Sequence, residues 1–116
     1  MIQIPSSPQE VFNTVAVHLL KQNKKSINGN GYCMYKDDFG RKCAAGIFLP
    51  EDSSTSFEGK IWDELVEARI VSEDNNLLIC DLQCIHDCTQ CDEWEKELKR
   101  IAVVHNLQFP ECGDSQ

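Results

Sequence analysis

Tyr32-Cys33-Met34-Tyr35-Lys36-Asp37-Asp38-Phe39-Gly40-Arg41-Lys42-Cys43-Ala44-Ala45-Gly46-Ile47-Phe48-Leu49-Pro50 is the stretch that helical packing does not explain. Tyr, Cys, Met and Tyr favour a strand, Asp37-Asp38-Phe39-Gly40 reads as a tight turn, and Arg41-Lys42-Cys43 reads as the return arm. A short β-hairpin over 32–42 is therefore expected. Such a hairpin is marginal alone and must lie on helices. A three-residue loop would set Cys33 opposite Cys43, and a four-residue loop would set Met34 there. The small residues Cys43-Ala44-Ala45-Gly46 permit close backbone approach. Ile47, Phe48 and Leu49 are expected to be buried in one or two helical turns ended by Pro50.

The flanks of this stretch read as helices. Ser7-Pro8-Gln9-Glu10 is a start signal, with Ser7 as cap, Pro8 at the first helical position and Glu10 completing a capping box. Phe12, Val15, Ala16 and Leu19 recur on one face, and the helix should fade near Asn23, before the turn-rich Asn28-Gly29-Asn30-Gly31. Downstream, Glu51 to Ser56 reads as a polar loop. A short helix follows, with Ile61, Trp62, Leu65, Val66 and Ala68 on its buried side. A third helix is expected over roughly 75–88, capped by Ser72 or Asp74. Its central stripe is Leu78, Leu82 and Ile85, beside a second stripe of Leu77, Cys80, Cys84 and Cys88. The last helix runs from about Asp92 to His105, with acids at its start and Lys99 and Arg100 near its end, matching the helix dipole. The expected fold is α+β and mainly α: one domain of four to five helices on a short hairpin, with flexible tails at 1–6 and 108–116.

At 116 residues and 41% hydrophobic content, the chain has enough apolar material for one core. No apolar run approaches the length of a membrane span. The N-terminus lacks a basic region before an apolar stretch, so no secretion signal is expected and a cytoplasmic protein is. The net charge of −8 is uneven: residues 1–50 hold six Lys/Arg against three Asp/Glu, and residues 51–116 hold five against sixteen. An acidic face repels nucleic acid, whose binding depends on neutralising phosphates. It suits a basic protein partner, or a protein surface that itself holds nucleic acid. The plainer reading is a solvated face that keeps the protein soluble. Asp92, Glu93 and Glu97 are the candidate partner-binding residues, and a homo-oligomer is compatible with the sequence.

Seven cysteines, an odd number, argue against a complete disulfide framework. Three constellations could carry chemistry. Cys84, Cys88 and Cys91 with His105 have spacings suited to zinc, against which stands the reading of Cys80, Cys84 and Cys88 as free thiols buried in an apolar stripe. Cys43 with His86 and Asp87 would make a nucleophilic thiol, its base and an orienting carboxylate, against which Ala44-Ala45-Gly46 around Cys43 reads as a packing site. Tyr35, Arg41 and Lys42 with Gln83 and His86 would line a pocket for a small anionic or nucleotide-like ligand. The plainer alternative is that Gln83 and His86 satisfy backbone groups of the irregular stretch and hold it in place.

The spacing Cys33-x-Tyr35, Gly40-x-x-Cys43-Ala44-x-Gly46 and Pro50, then Glu58-Gly59-Lys60, Leu82-Gln83-x-x-His86-Asp87 and Trp94 resembles a group of small uncharacterised proteins of bacteriophages and their bacterial hosts. The resemblance covers about residues 7–107. This chain has Lys36 where Arg is usual and Phe48-Leu49 before the proline, and Cys80, Cys84, Cys88, Cys91 and Cys112 look particular to it. The resemblance implies a phage or prophage accessory protein with no cofactor and no established activity. By analogy, such a protein acts without catalysis by occupying a host protein, including anti-CRISPR-like inhibition of defence effectors, or else sequesters a nucleotide signal.

Overall fold

Ser7 opens the first helix as its side chain predicts. In the computed structural model, which describes residues 1–50 and 57–110, its Oγ accepts from the Glu10 N–H at 3.2 Å. Helix α1 (Pro8–Gln22) ends at Asn23, whose left-handed φ of 50° lets its N–H reach the Leu19 carbonyl. Helix α2 (Trp62–Glu67) is short. Helices α3 (Asn76–Cys88) and α4 (Trp94–Val104) are joined through a 3-10 turn at Cys91–Glu93. The chain forms one mainly helical globule with these four helices among the described residues. Its radius of gyration of 13.5 Å sits at the value of about 13 Å expected for a compact chain of this size. None of the helices is long and apolar enough to cross a membrane.

Helix α3 is the hub, packing on α1, α4 and α2. Leu78, Ile79, Leu82, Ile85 and His86 are buried on the arc it turns toward its neighbours. They meet Val11, Phe12, Val15, Ala16 and Leu19 of α1 and Trp94, Leu98, Ile101 and Ala102 of α4 in one core. Burying a side chain of this size is worth about 1.5–3 kcal/mol, so this three-helix seam is the main source of stability.

The stretch from Ser26 to Cys43 crosses this seam as a meander rather than a ladder. Isolated antiparallel bridges join Ile27 to Cys33 and Lys36 to Lys42, and the described residues contain no strand. Neither anticipated pairing of Cys43 occurs. Its N–H donates to the Tyr35 carbonyl at 3.2 Å, so Tyr35 is its opposite residue. The turn decides this. Asp37 Oδ1 accepts from the Phe39 and Arg41 amides, each at 2.9 Å, while Gly40 takes a φ of 82°. That arrangement centres the loop on Phe39 and shifts the pairing away from Cys33 and Met34.

Burial within 43–49 also differs from expectation. Cys43, Ala44 and Ala45 are completely buried and Gly46 is buried, whereas Ile47 and Phe48 in the 3-10 turn Gly46–Phe48 are only half-buried and Leu49 is buried. The small residues are the plug because the Tyr35 backbone lies directly against them. A Cβ added at Gly46 would sit 2.9 Å from the Tyr35 carbonyl carbon, a contact real Cβ atoms essentially never show.

Five further expectations are corrected. Residues 1–6 are not a loose tail: Ile2 forms a parallel bridge with Val71, and Ile4 is buried with its N–H on Ser72 Oγ at 2.9 Å. Ser72 is thereby occupied and does not cap α3, whose cap position is Asn75 with a left-handed φ of 57°. At the other end, the Gln108 N–H donates to Gln9 Oε1 at 2.9 Å and Phe109 packs edge-on against Phe12, which ties 108–110 to α1. Ile61 and Ala68, which flank α2 at its two ends, are exposed, and the Leu77–Cys84–Cys88 stripe of α3 faces outward, because the packed arc of α3 is the opposite one. The expected polar loop at 51–56 and the end of the chain at 111–116 lie outside the described residues.

Candidate functional site

The meander is pinned by side chains from two helices. From α3, Gln83 Oε1 accepts from the Ala45 N–H at 2.9 Å, and His86 Nε2 accepts from the Ser26 N–H at 3.0 Å. From α1, Gln22 brackets the Lys42 peptide, accepting from its N–H at 3.0 Å and donating to its carbonyl at 2.9 Å. His18 Nε2–H donates to the same carbonyl at 2.9 Å. Burial holds the His18 imidazole below its ordinary pKa, and the neighbouring Lys42 charge pushes the same way against that hydrogen bond. An irregular segment needs such partners, since a buried backbone group left unpaired costs about 1–3 kcal/mol.

His86 is completely buried and stacked on Trp94, with ring centroids 5.6 Å apart. Because Nε2 accepts from a backbone N–H it carries no proton, so Nδ1 is protonated and donates to Asp87 Oδ1 at 2.8 Å. Gln83 Nε2 donates to the same oxygen at 2.9 Å. Burial alone would raise the Asp87 carboxyl, but the hydrogen bonds from His86, Cys33 and Gln83 outweigh it and hold it below its ordinary value.

Around this anchor lies a cleft of about 450 Å³ between residues 33–35, the 58–62 segment and α3. Tyr35, Met34, Ile61 and Trp62 give it apolar walls. Glu58, Lys60, Gln83 and Asp87 supply polar groups, and Cys33, Cys80, Cys84 and Cys88 line it with thiols. The Glu58 carboxylate is spent on the meander, accepting from the Tyr35 N–H at 2.8 Å and the Lys36 N–H at 3.1 Å. The Tyr35 hydroxyl donates to the Lys60 carbonyl. Burial, followed by the neighbouring Cys43 and Glu58, raises the Tyr35 phenol above its ordinary pKa. The buried Trp62 indole N–H has no acceptor among the described residues.

The residues expected to form sites are distributed as follows. Of the ligand-pocket set, Tyr35 and Gln83 line the cleft, whereas Arg41, Lys42 and His86 do not. The Arg41 guanidinium is bound to Asp37 Oδ2 at 2.6 Å and lies over the Phe39 ring, at the far end of the meander. The cleft therefore lacks the two cations that a polyanion would need. Of the thiol-enzyme set, Cys43 is completely buried, and burial pushes its thiol up to about 12, far from a thiolate at neutral pH. Its Sγ accepts from the Gly46 N–H at 3.3 Å, and both His86 nitrogens are taken by Ser26 and Asp87. Of the zinc set, Cys84 and Cys88 stand one turn apart with sulfurs at 3.5 Å, while Cys91 is half-buried and His105 is bound to Asp81 at 2.8 Å. Of the partner-binding set, Asp92 and Glu93 are exposed, but Glu97 is half-buried and holds Arg100 at 2.9 Å.

Two features escaped sequence reasoning. Cys33 belongs with Asp87: the thiol is pushed up to about 11 by burial and by its hydrogen bond to that carboxylate. The free thiols of α3 are accessible, Cys84 and Cys88 being exposed and Cys80 half-buried. Burial and the nearby Asp63 carboxylate raise Cys80 to about 11, and the hydrogen bond with Cys88, then burial, raise Cys84. The one sequence signal for the pairing was Asp87 following His86, since a histidine turned inward leaves the next helical residue at the edge of the packed arc.

Comparison with protein families, curated proteins and solved structures gives no match.

Proposed function

We propose that the protein is a non-enzymatic binding protein, a phage-type accessory protein that occupies a basic, nucleic-acid-binding host protein through its acidic surface. The motif spacing described above supports the phage assignment. The observation that carries the binding mode is the exposure of Asp92 and Glu93 on the 3-10 turn before α4, where they make no ion pair among the described residues. Their neighbours Glu95 and Glu97 are partly neutralised by Lys99 and Arg100. Unneutralised exposed carboxylates raise the encounter rate with a basic surface and discriminate against acidic ones. The partner-facing role narrows to Asp92 and Glu93, with Glu97 holding Arg100 beside them.

The test is affinity capture from a bacterial host lysate, with the captured protein identified and its nucleic-acid binding measured with and without this chain. The double variant Asp92→Lys/Glu93→Lys should lose capture and leave nucleic-acid binding by the target intact, while Glu97→Gln should retain most of it. Equal capture by the double variant would remove the acidic surface from the mechanism.

A second reading, a sponge for a small signal molecule, is favoured by the cleft itself. The Tyr35, Met34, Ile61 and Trp62 side chains give the cleft apolar walls that suit a flat heterocycle. Lys60 is the only cation in its walls among the described residues, so the base of a nucleotide-like ligand would lie inside and its phosphates outside. Native mass spectrometry of protein taken from host cells should then show a bound species that Trp62→Leu no longer holds; absence of any adduct in the wild type would remove this reading.

A further inference from the structure

Neither reading uses the paired thiols of α3. Cys84 and Cys88 stand one helical turn apart at the end of α3, and both are exposed free thiols. The Cys84 S–H donates to the Cys88 sulfur at 3.5 Å, so the two sulfurs already face one another. They border two hollows at once: the cleft, and a smaller groove of about 200 Å³ between α3 and α4, lined in part by Ile101 and Val104. The hydrogen bond with Cys88, then burial, then the charges of Cys88, Asp87 and Asp81 hold the Cys84 thiol above its ordinary pKa. Cys84 is therefore a neutral thiol at neutral pH.

The separation of the sulfurs selects among the centres that two thiols can take. A disulfide holds its Cβ atoms about 3.5–4.5 Å apart, whereas residues four apart on a helix keep theirs about 5–6 Å apart. Oxidation of the pair would have to unwind the last turn of α3. A linear two-coordinate ion with sulfur bonds of about 2.3 Å needs sulfurs about 4.6 Å apart, and this pair is closer than that. A tetrahedral ion needs further donors. The one group of three ligand-type residues gathered among the described residues is Cys33, His86 and Asp87, and His86 is committed to the Ser26 N–H and to Asp87. At bonds of about 2.3 Å, sulfurs 3.5 Å apart subtend about 100° at the atom that joins them. That narrow angle is the angle of a pyramidal three-coordinate centre with a lone pair, the geometry of trivalent arsenic.

We propose that Cys84 and Cys88 form a chelating dithiol site for a trivalent arsenical that carries one organic substituent. Two As–O bonds of the arsonous acid break and two As–S bonds form, and each thiol proton leaves with a hydroxyl as water. Arsenic stays trivalent and both sulfurs keep their oxidation level, so no oxidant or reductant takes part. A neutral Cys84 thiol suits this exchange, because the departing hydroxyl takes its proton. The third position of the arsenic holds the substituent, and both hollows offer it apolar surface: Met34 and Ile61 in the cleft, Ile101 and Val104 in the groove. Of the other cleft thiols, Cys80 is bonded to Asp63 and Asn76, and Cys33 to Asp87. Inorganic arsenite, which is held best by three sulfurs, would bind here through two and more weakly. The chelate spans the turn of α3 that carries His86 and Asp87, and so braces the anchor of the meander.

Phenylarsonous acid is the probe, added to the reduced full-length protein under native conditions. Intact-mass spectrometry should show one equivalent bound with the loss of two waters. As a measurement that needs no variant, alkylation with N-ethylmaleimide followed by peptide mapping should find Cys84 and Cys88 protected together and the other cysteines labelled as before. Cys84→Ser and Cys88→Ser, both at exposed positions, should each weaken binding by about a hundredfold or more through loss of the chelate. Cys33→Ser and Cys80→Ser should bind like the wild type, and arsenite should bind the wild type more weakly than the phenyl compound does. Absence of an adduct at one equivalent, protection of another cysteine in place of Cys84 or Cys88, unchanged affinity in Cys84→Ser, or arsenite binding tighter than the phenyl compound would each overturn the site.

Discussion

Replacing Gly46 with alanine should destabilise the protein by about 2 kcal/mol, with no change in any exposed group. The added Cβ would lie 2.9 Å from the Tyr35 carbonyl carbon and 3.1 Å from its Cα. Tyr35 cannot retreat, because its N–H is held by Glu58 at 2.8 Å, its carbonyl by the Cys43 N–H at 3.2 Å, and its hydroxyl by the Lys60 carbonyl. Overpacking of this kind costs about 1–3 kcal/mol. Stretching or breaking the Cys43–Tyr35 hydrogen bond adds about 0.5–1.5 kcal/mol. Against these, alanine restricts the unfolded chain and returns about 0.4–1 kcal/mol, which applies because Gly46 does not have a positive φ. The net loss of about 2 kcal/mol corresponds to a fall in Tm of roughly 8 °C for a domain of this size. Urea unfolding followed by circular dichroism measures it, with Gly29→Ala as the control, since nothing lies within 4 Å of a Cβ there. Gly29→Ala should be neutral or slightly stabilising. A Gly46→Ala midpoint equal to that of the wild type would refute the view that the plug and Tyr35 are in obligatory contact.

Three other outcomes are expected. His86→Phe keeps the stack on Trp94 but leaves the Ser26 N–H without its acceptor. It should cost about 2 kcal/mol and strip the Ser26 amide of hydrogen-exchange protection; an unchanged exchange rate at Ser26 would contradict the pinning role. Burial alone would raise the Asp37 carboxyl, but its bonds from the Arg41 side chain and the Arg41 and Phe39 amides lower it overall. Its contribution is therefore complete above the ordinary carboxylate range and is lost as pH falls through the lowered folded value. Stability of Asp37→Asn should accordingly fall less steeply with acid than that of the wild type, and parallel pH–stability curves would count against this linkage. In the native state iodoacetamide should label Cys33, Cys84 and Cys88 and spare Cys43 until urea is added, because the Cys43 thiol is completely buried and raised to about 12; labelling of Cys43 at the rate of Cys88 would reopen the thiol-enzyme reading.

The helices were legible in the sequence because their signals are local. Ser7-Pro8-Gln9-Glu10 caps α1 whatever surrounds it, and the spacing of Leu78, Leu82 and Ile85 marks the inward face of α3. The use of Gln83 and His86 to hold an irregular stretch was also legible as an alternative, since backbone groups outside regular structure must find partners. The misplaced residues are those whose exposure depends on a neighbour far away in sequence. Leu77, Cys84 and Cys88 have the apolar character of a core stripe. They face outward because α1 and α4 occupy the other side of α3, and the short α2 covers only part of this one. Ile2 and Ile4 sit in a terminal segment with no periodicity, and only the link between α2 and α3, nearly 70 residues away, gives them a partner.

Asp87 shows the same division within the candidate site. Its place next to His86 on a helix is fixed by the chain, but its meeting with Cys33 depends on where the meander lands. That landing is set by the turn at Asp37, the Glu58 carboxylate and the Gly46 contact together. The sequence by itself determined the helices, the acidic second half and the special character of residues 32–50. Only the tertiary structure decided the pairing of Cys43 with Tyr35, the exposure of the α3 thiols and the separation of Arg41 and Lys42 from the cleft. Helical periodicity repeats within a few residues, whereas these outcomes depend on which distant surface each residue meets, a competition settled by packing the whole chain.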